Sequence, residues 1–317
     1  MYLAEYLLSI REFLEEYPTG ENVSNENTAG QRLSYGLLPE KGQAEKILSY
    51  GFSEEEYREA LVERAFSCID EERKKKAERI RPGRARAASL GAGLLLQLAV
   101  GEVLRENGDR ESASGNPVEM GEAVYGNVSG GSEACNIADF ERAADRKAEY
   151  TVYSVSQLLT RLEGLPRQPF SYCYGEKGKP YFRDLPYYFS LSHSGDYVFC
   201  ALSTEEIGAD IQQHRRQLKE DNRRRLAARF FSEEEKRALE IAGEREELFY
   251  RLWTRKEAFG KMTGEGVPGI LDVNLLPADR EYSEAGMEKK LPPDRQLIWK
   301  EYGNIPGYSI ALCYVTA

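Results

Sequence analysis

The sequence predicts an α+β protein, and three observations carry that prediction. The segment from Ser89 to Leu104 sets Leu90, Leu94, Leu95, Leu98 and Val103 at helical spacings. Tyr187 to Leu202 holds two alternating runs around His193-Ser194-Gly195-Asp196, and reads as a hairpin with its turn at that tetrapeptide. The C-terminus carries two strand-like runs, Gln296 to Tyr302 and Tyr308 to Val315, joined by a Gly/Pro turn. The length of 317 residues suits one large domain or two modest lobes. A hydrophobic share of 41% with 30% charged residues excludes collagen-like, disulfide-scaffold and wholly disordered chains.

Taken in order, residues 20–35 are polar and read as loop. From Arg73 to Arg86 eight basic residues face one acid, Glu78, which reads as a solvated helix face. In the apolar segment that follows, Gly91 and Gly93 predict close approach by another element. Residues 107–138 are rich in Gly, Ser, Asn and Glu without periodicity, and read as a surface insertion. Ile207 to Gln212 reads as a strand with Ile207, Ala209 and Ile211 on one face and Asp210 with Gln212 on the other. Ser232 with Glu235 makes a capping-box signature, and a further helix runs from Glu247 to Met262 before Gly264, Gly266 and Pro268 stop it.

The five cysteines are scattered, odd in number and free of CxxC spacing, so reduced thiols are expected rather than a disulfide framework or a zinc site. The net charge of −10 argues against broad binding to nucleic acid or anionic membranes, while leaving room for one anionic small ligand held by local cations. The longest apolar run, Leu94 to Val100, is short for a bilayer, and Met1 to Glu5 lacks the basic start of a signal peptide. A cytoplasmic protein is the expectation.

Candidate chemistry gathers in the second half. Trp253, Glu257 and Lys261 follow at i, i+4 and i+8 on one helix side. For Glu257 and Lys261 alone, an ordinary surface ion pair is the plainer explanation. Asp210 adds a carboxylate from a strand, and a sparse pair of hard oxygens suits a magnesium ion that takes its other ligands from water and substrate phosphates. His193 lies beside Ser192 and Ser194 in the apparent turn. No GxSxG elbow surrounds either serine, so a phosphate contact suits this group better than a serine nucleophile, with a structural turn histidine as the bland alternative.

Five segments in order carry a family resemblance: GKPYF (Gly178 to Phe182), FSLSHSGDYV (Phe189 to Val198), IGADIQ (Ile207 to Gln212), RFFSEEE (Arg229 to Glu235) and LWTRKEAFGKMTGEG (Leu252 to Gly266). Together they resemble the 4′-phosphopantetheinyl transferases of the two-lobed Sfp type, over roughly Arg73 to the C-terminus outside the polar insertion. The resemblance implies a pseudo-twofold pair of lobes, each a helix packed on a small antiparallel sheet, with residues 1–204 and 205–317 as the two lobes. It implies that coenzyme A lies in the cleft, that Mg2+ binds its pyrophosphate, and that the phosphopantetheine arm passes to a serine of an acyl or peptidyl carrier protein.

Residue by residue, the resemblance makes Asp210 and Glu257 metal ligands, with Glu257 helping to deprotonate the serine, and Lys261 a phosphate contact. Ser192 and His193 match residues near the 3′-phosphate and pyrophosphate, Lys179 and Pro180 the segment beside the adenine, and Glu235 an acid near the metal region. Gln212 stands where many members carry a third carboxylate, and its neutral amide oxygen is a weaker ligand. Arg86 is the basic residue carried over from ahead of the first-lobe helix, although Ala87 and Ala88 stand where an arginine is often found. The partners expected are coenzyme A and a carrier protein, with no nucleic acid and no membrane, and the protein is expected to be a monomer. The alternative is a non-catalytic coenzyme A or carrier-binding protein of the same fold, motivated by Gln212 and the displaced arginine.

Overall fold

In the computed structural model, residues 2–14, 54–113, 152–167, 169–214, 220–243, 245–276, 295–303 and 305–316 are described. They form β1 (Leu3–Ser9), α1 (Glu54–Cys68), α2 (Glu71–Glu78), α3 (Arg84–Ala113), β2 (Val152–Tyr153), α4 (Val155–Glu163), β3 (Tyr172–Tyr174) and β4 (Pro180–Phe182). Next come β5 (Tyr188–Ser194), β6 (Tyr197–Ser203), β7 (Ile207–Gln213), α5 (Glu220–Phe230), α6 (Glu233–Ile241), α7 (Glu246–Thr263), β8 (Gln296–Tyr302) and β9 (Tyr308–Thr316). One sheet has the order β2-β1-β6-β5, antiparallel except for the short parallel β1–β2 pair. The other is the antiparallel sheet β7-β9-β8, and β3-β4 is a separate ribbon. Mixed α+β content, as expected, is what the chain adopts.

The apolar run at Ser89 to Leu104 lies within α3, which packs on β1, β5 and β6. By length and composition Arg84–Gly108 would suffice to cross a bilayer, but 89% of its apolar window is buried inside the protein. A helix apolar on all sides and covered by sheet and helices is a core helix. Both predicted glycine contacts are present. A Cβ at Gly91 would lie 3.0 Å from the side chains of Leu8 and Ile10, and one at Gly93 2.6 Å from Ile69. The helix continues to Ala113, so the start of the expected insertion at 107–138 is helical; the rest of it, and the loop expected at 20–35, lie outside the described residues.

The second sheet carries α7 across β7 and β9. Gly208 makes this close: a Cβ there would overlap the carbonyl oxygen of Ala258 and the amide nitrogen of Met262. A side chain at this position is incompatible with the observed strand-to-helix distance, so glycine brings the flanking residues of β7 within reach of α7.

Strands β5 and β7 lie side by side where the sheets meet, joined through side chains. The hydroxyls of Ser190, Ser192 and Ser194 accept the backbone N–H groups of Ala209, Ile211 and Gln213 at 2.9, 3.2 and 2.9 Å. Edge amides that would otherwise be buried unpaired are thereby satisfied. His193 belongs to this strand rather than to a turn, which corrects its expected placement: the turn begins at Gly195, with φ +56. Cys68, Cys173, Cys200 and Cys313 are free thiols, as expected, and burial pushes that of Cys200 up to about 12.

Candidate active site

A cavity of about 1000 Å³ opens between α2, α3, the β3–β4 ribbon, β5 and the C-terminal end of α7. Its wall carries Arg73, Lys75, Lys76, Arg79, Lys177, Lys179 and Lys261, with Glu72 as the acid among its lining residues. The basic run read as a solvated face therefore supplies one side of a pocket. Only Ala77 of α2 is buried, so the helix spends almost no surface on the core. It is held instead by Asp70, which accepts from Arg73 N at 2.9 Å and from the Tyr172 hydroxyl at 2.7 Å. So many cations around one concave volume favour a polyanionic ligand.

Lys261 in the cavity wall connects the cavity to the predicted Asp210 and Glu257. Lys261 Nζ donates to Asp210 Oδ1 at 2.7 Å and to the Ala209 carbonyl at 3.1 Å. Ser192, also in the cavity wall, donates its hydroxyl to the same Asp210 oxygen at 2.6 Å. Asp210 Oδ2 is buried with no hydrogen-bond partner. Strand alternation placed Asp210 correctly on the face away from Ile207, Ala209 and Ile211. That face is covered by α7, however, and Asp210 is only 5% exposed. Glu257 joins electrostatically: burial first, and then the Asp210 charge, push its carboxyl above the usual range against the opposing pull of Lys261. Asp210, Glu257 and Lys261 are thus brought together from a strand and a helix.

The other expected residues divide. His193 lines the cavity, where desolvation, then the ammonium groups of Lys261 and Lys76, hold its imidazole below the usual range. Lys179 and Pro180 line it too, but the Lys179 ammonium is committed to Glu206 and to the Met262 carbonyl. Gln212 is half-buried on the Asp210 side of β7, its amide donating to the Gln213 carbonyl at 3.4 Å.

Arg86 is not among the residues lining the cavity: on α3 those are Ala85, Ser89 and Ala92, while the Arg86 guanidinium sits over the Phe66 ring of α1, 5.0 Å from the centroid, with its buried Nε unpartnered. Glu235 is the capping residue its spacing suggested. It accepts from Ser232 N at 2.8 Å and from Leu275 N at 2.8 Å, and forms a fully buried pair with Lys256 at 3.0 Å. Trp253 stacks with Phe249 and packs on Phe230 and Phe231, away from the cavity.

Ser89 was missed by the sequence reading. It lines the cavity, is 6% exposed, and its buried hydroxyl has no partner. An unpaired buried hydroxyl facing a cation-lined volume is a ready ligand donor. Its signal was the polar position at the head of an apolar helix. Arg73, Lys76 and Lys177 were likewise missed as site residues.

Comparison with known proteins identifies the family. The sequence profile of the 4′-phosphopantetheinyl transferase superfamily matches residues 206–313, which hold β7, α7 and most of β9. A Synechocystis protein provisionally named a 4′-phosphopantetheinyl transferase is 40% identical over 191 residues, covering 56% of this chain and 75% of the relative. The 4′-phosphopantetheinyl transferase Sfp of Bacillus subtilis is 33% identical over 164 residues, covering 50% of this chain and 69% of its own length. The transferase AcpT of Salmonella typhimurium is 40% identical over 120 residues, covering 36% and 61%. With two relatives above 30% identity matched over more than two thirds of their length, the chain belongs to the 4′-phosphopantetheinyl transferase superfamily.

Proposed function

We propose that the chain transfers the 4′-phosphopantetheine arm of coenzyme A to a serine of an acyl or peptidyl carrier protein, at the junction of β7 and α7. The observation that carries this reading is the meeting of Asp210 and Glu257 with Lys261, which lines a cation-rich cavity. A volume of about 1000 Å³ suits a nucleotide-sized ligand, and the lysines and arginines of its wall suit the phosphates of coenzyme A. The carrier serine oxygen attacks the phosphorus that bears the pantetheine arm. A P–O bond to serine forms as the bond to the adenosine-side phosphate oxygen breaks, and 3′,5′-adenosine bisphosphate leaves with that electron pair. Glu257, whose proton affinity is raised by burial, suits the role of base for the serine proton. Lys261 suits the offsetting of charge on the departing phosphate.

The residues also fit the Mg2+ that the resemblance implies. Asp210 Oδ2 is a buried acceptor without a donor, and Glu257 is disfavoured as an anion by burial and by the same aspartate. Among the described residues no group of three His, Cys, Asp or Glu forms a closed metal site. Asp210 and Glu257 would hold the ion, with Gln212 as a neutral third ligand, and the open positions suit a hard cation that keeps waters and substrate phosphates. When bound, the ion would withdraw charge from the phosphoryl oxygens.

A long helix on a mainly antiparallel sheet occurs twice, as α3 on the first sheet and α7 on the second, which supports two pseudo-twofold lobes meeting near residue 204. A cytoplasmic monomer remains part of this reading, and the net charge of −10 supports the absence of nucleic-acid and anionic-membrane partners. Intact-mass analysis of apo carrier proteins incubated with the chain, coenzyme A and Mg2+ tests the transfer. One phosphopantetheine adduct per carrier is expected. Its absence across acyl and peptidyl carriers would favour the alternative of a non-catalytic binding protein.

A further inference from the structure

Asp210 uses its two oxygens unequally. Oδ1 accepts from Lys261 at 2.7 Å and from Ser192 at 2.6 Å, whereas Oδ2 is buried and takes no hydrogen bond. The carboxylate is therefore already neutralised by a cation of its own chain. The two members differ in freedom: the Lys261 side chain is 31% exposed and lines the cavity, whereas that of Asp210 is 7% exposed. A lysine is a point charge on a flexible stem, so its head can move while the carboxylate stays. The Asp210 carboxylate is kept in place by Ser192, whose hydroxyl also accepts Ile211 N–H at 3.2 Å and belongs to the row of serines joining β5 to β7.

We propose that Lys261 is an exchangeable counter-ion. It occupies Asp210 while the cavity holds no phosphate, swings to the phosphate when an anionic substrate enters, and so releases Asp210 to a divalent cation. This inference rests on the transfer reading given above. An ammonium and a dication sharing one carboxylate repel each other, so the free protein binds the cation poorly. The phosphate ligand and the cation then strengthen each other's binding by the same factor.

Titration with Mn2+ alone, followed by electron paramagnetic resonance, tests the exchange without any turnover. Lys261→Met is expected to bind Mn2+ about tenfold more tightly than the unaltered protein. Lys76→Met removes a cation from the same cavity that makes no bond to Asp210, and is expected to shift the affinity by less than about twofold. Acetic anhydride labelling read by peptide mass gives a second measure: saturating Mg2+ should raise the labelling of Lys261 relative to Lys76. Equal Mn2+ affinity in Lys261→Met and the unaltered protein, no binding by either at millimolar concentration, or Lys261 labelling indifferent to Mg2+ would each overturn the exchange. Asp210→Asn separates the two failures. If it loses Mn2+ while Lys261→Met is unchanged, only the exchange is wrong; if it binds as well as the unaltered protein, the metal assignment is wrong too.

Discussion

Replacing Gly208 by alanine would disturb the distance between β7 and α7 without removing any functional group. The new Cβ would overlap the Ala258 carbonyl oxygen and the Met262 amide, and would lie 2.8 Å from Met262 Cβ. Ordinary contact begins near 3.4 Å, so the Met262 side-chain contact alone demands about 0.6 Å, and the two backbone overlaps demand more. Neither backbone yields easily, because β7 is hydrogen-bonded to β9 and α7 is a continuous helix. Overpacking of this kind costs about 1–3 kcal/mol, which the fold should survive. The site should not survive it equally well. A separation of about 1 Å shifts Asp210 on β7 away from Glu257 and Lys261 on α7 by more than a site assembled across the two elements tolerates, and displacements of that size cost on the order of 10²-fold in rate. The assay is the initial rate of holo-carrier formation by intact mass, beside circular dichroism and Tm. A folded Gly208→Ala protein with a rate within about threefold of the original would refute the reasoning that strand-to-helix distance sets the site.

Glu257→Gln should be stabilising above neutral pH. The folded carboxyl titrates above its unfolded value of 4.5, so the native state holds the proton more tightly; that stabilisation is present below 4.5 and is lost as pH rises through the folded value. Tm should therefore rise in the variant at about pH 8, by roughly 2–4 °C for each kcal/mol relieved, and converge on the original toward pH 4.5. A pH-independent change would contradict this. Arg86→Ala should cost about 0.5–1 kcal/mol through the lost contact with Phe66 while leaving the KM for coenzyme A unchanged; a several-fold rise in KM would return Arg86 to the cavity. Lys256→Met should lower stability by about 3–5 kcal/mol, because Glu235 is left as a charge in a fully buried position. An unaltered denaturation midpoint would show that pair to be dispensable.

What was legible in the sequence follows from periodicity. β5, β6, β7 and α7 were readable within a residue or two because each keeps its own period between clear turn or stop signals, and the glycine contacts of α3 were readable because glycine in an apolar helix needs a packing reason. The basic run of α2 misled because a helix with a single buried residue looks the same whether its other faces meet water or a ligand cavity. For Asp210, alternation supplied direction but not burial: the face opposite the apolar row of β7 is covered by α7, whose Lys261 lies 51 residues further on. The serines at 190, 192 and 194 showed as small polar alternation, yet their pairing with the amides of β7 depends on two sheet edges meeting, which no local pattern encodes. Arg86 sits one helical position from the cavity-lining Ala85, with its guanidinium over Phe66, a direction that residue identity alone does not give.

Single-turnover transfer measured by intact mass, comparing the unaltered chain with Asp210→Asn, addresses the β7–α7 site most directly. The substitution preserves side-chain volume and removes the charge that meets Lys261 and leaves Oδ2 open. One adduct per carrier is expected with the original chain, with the rate falling by on the order of 10²-fold or more in the variant. A variant that loads carrier at the original rate would contradict the assignment of the chemistry to this junction.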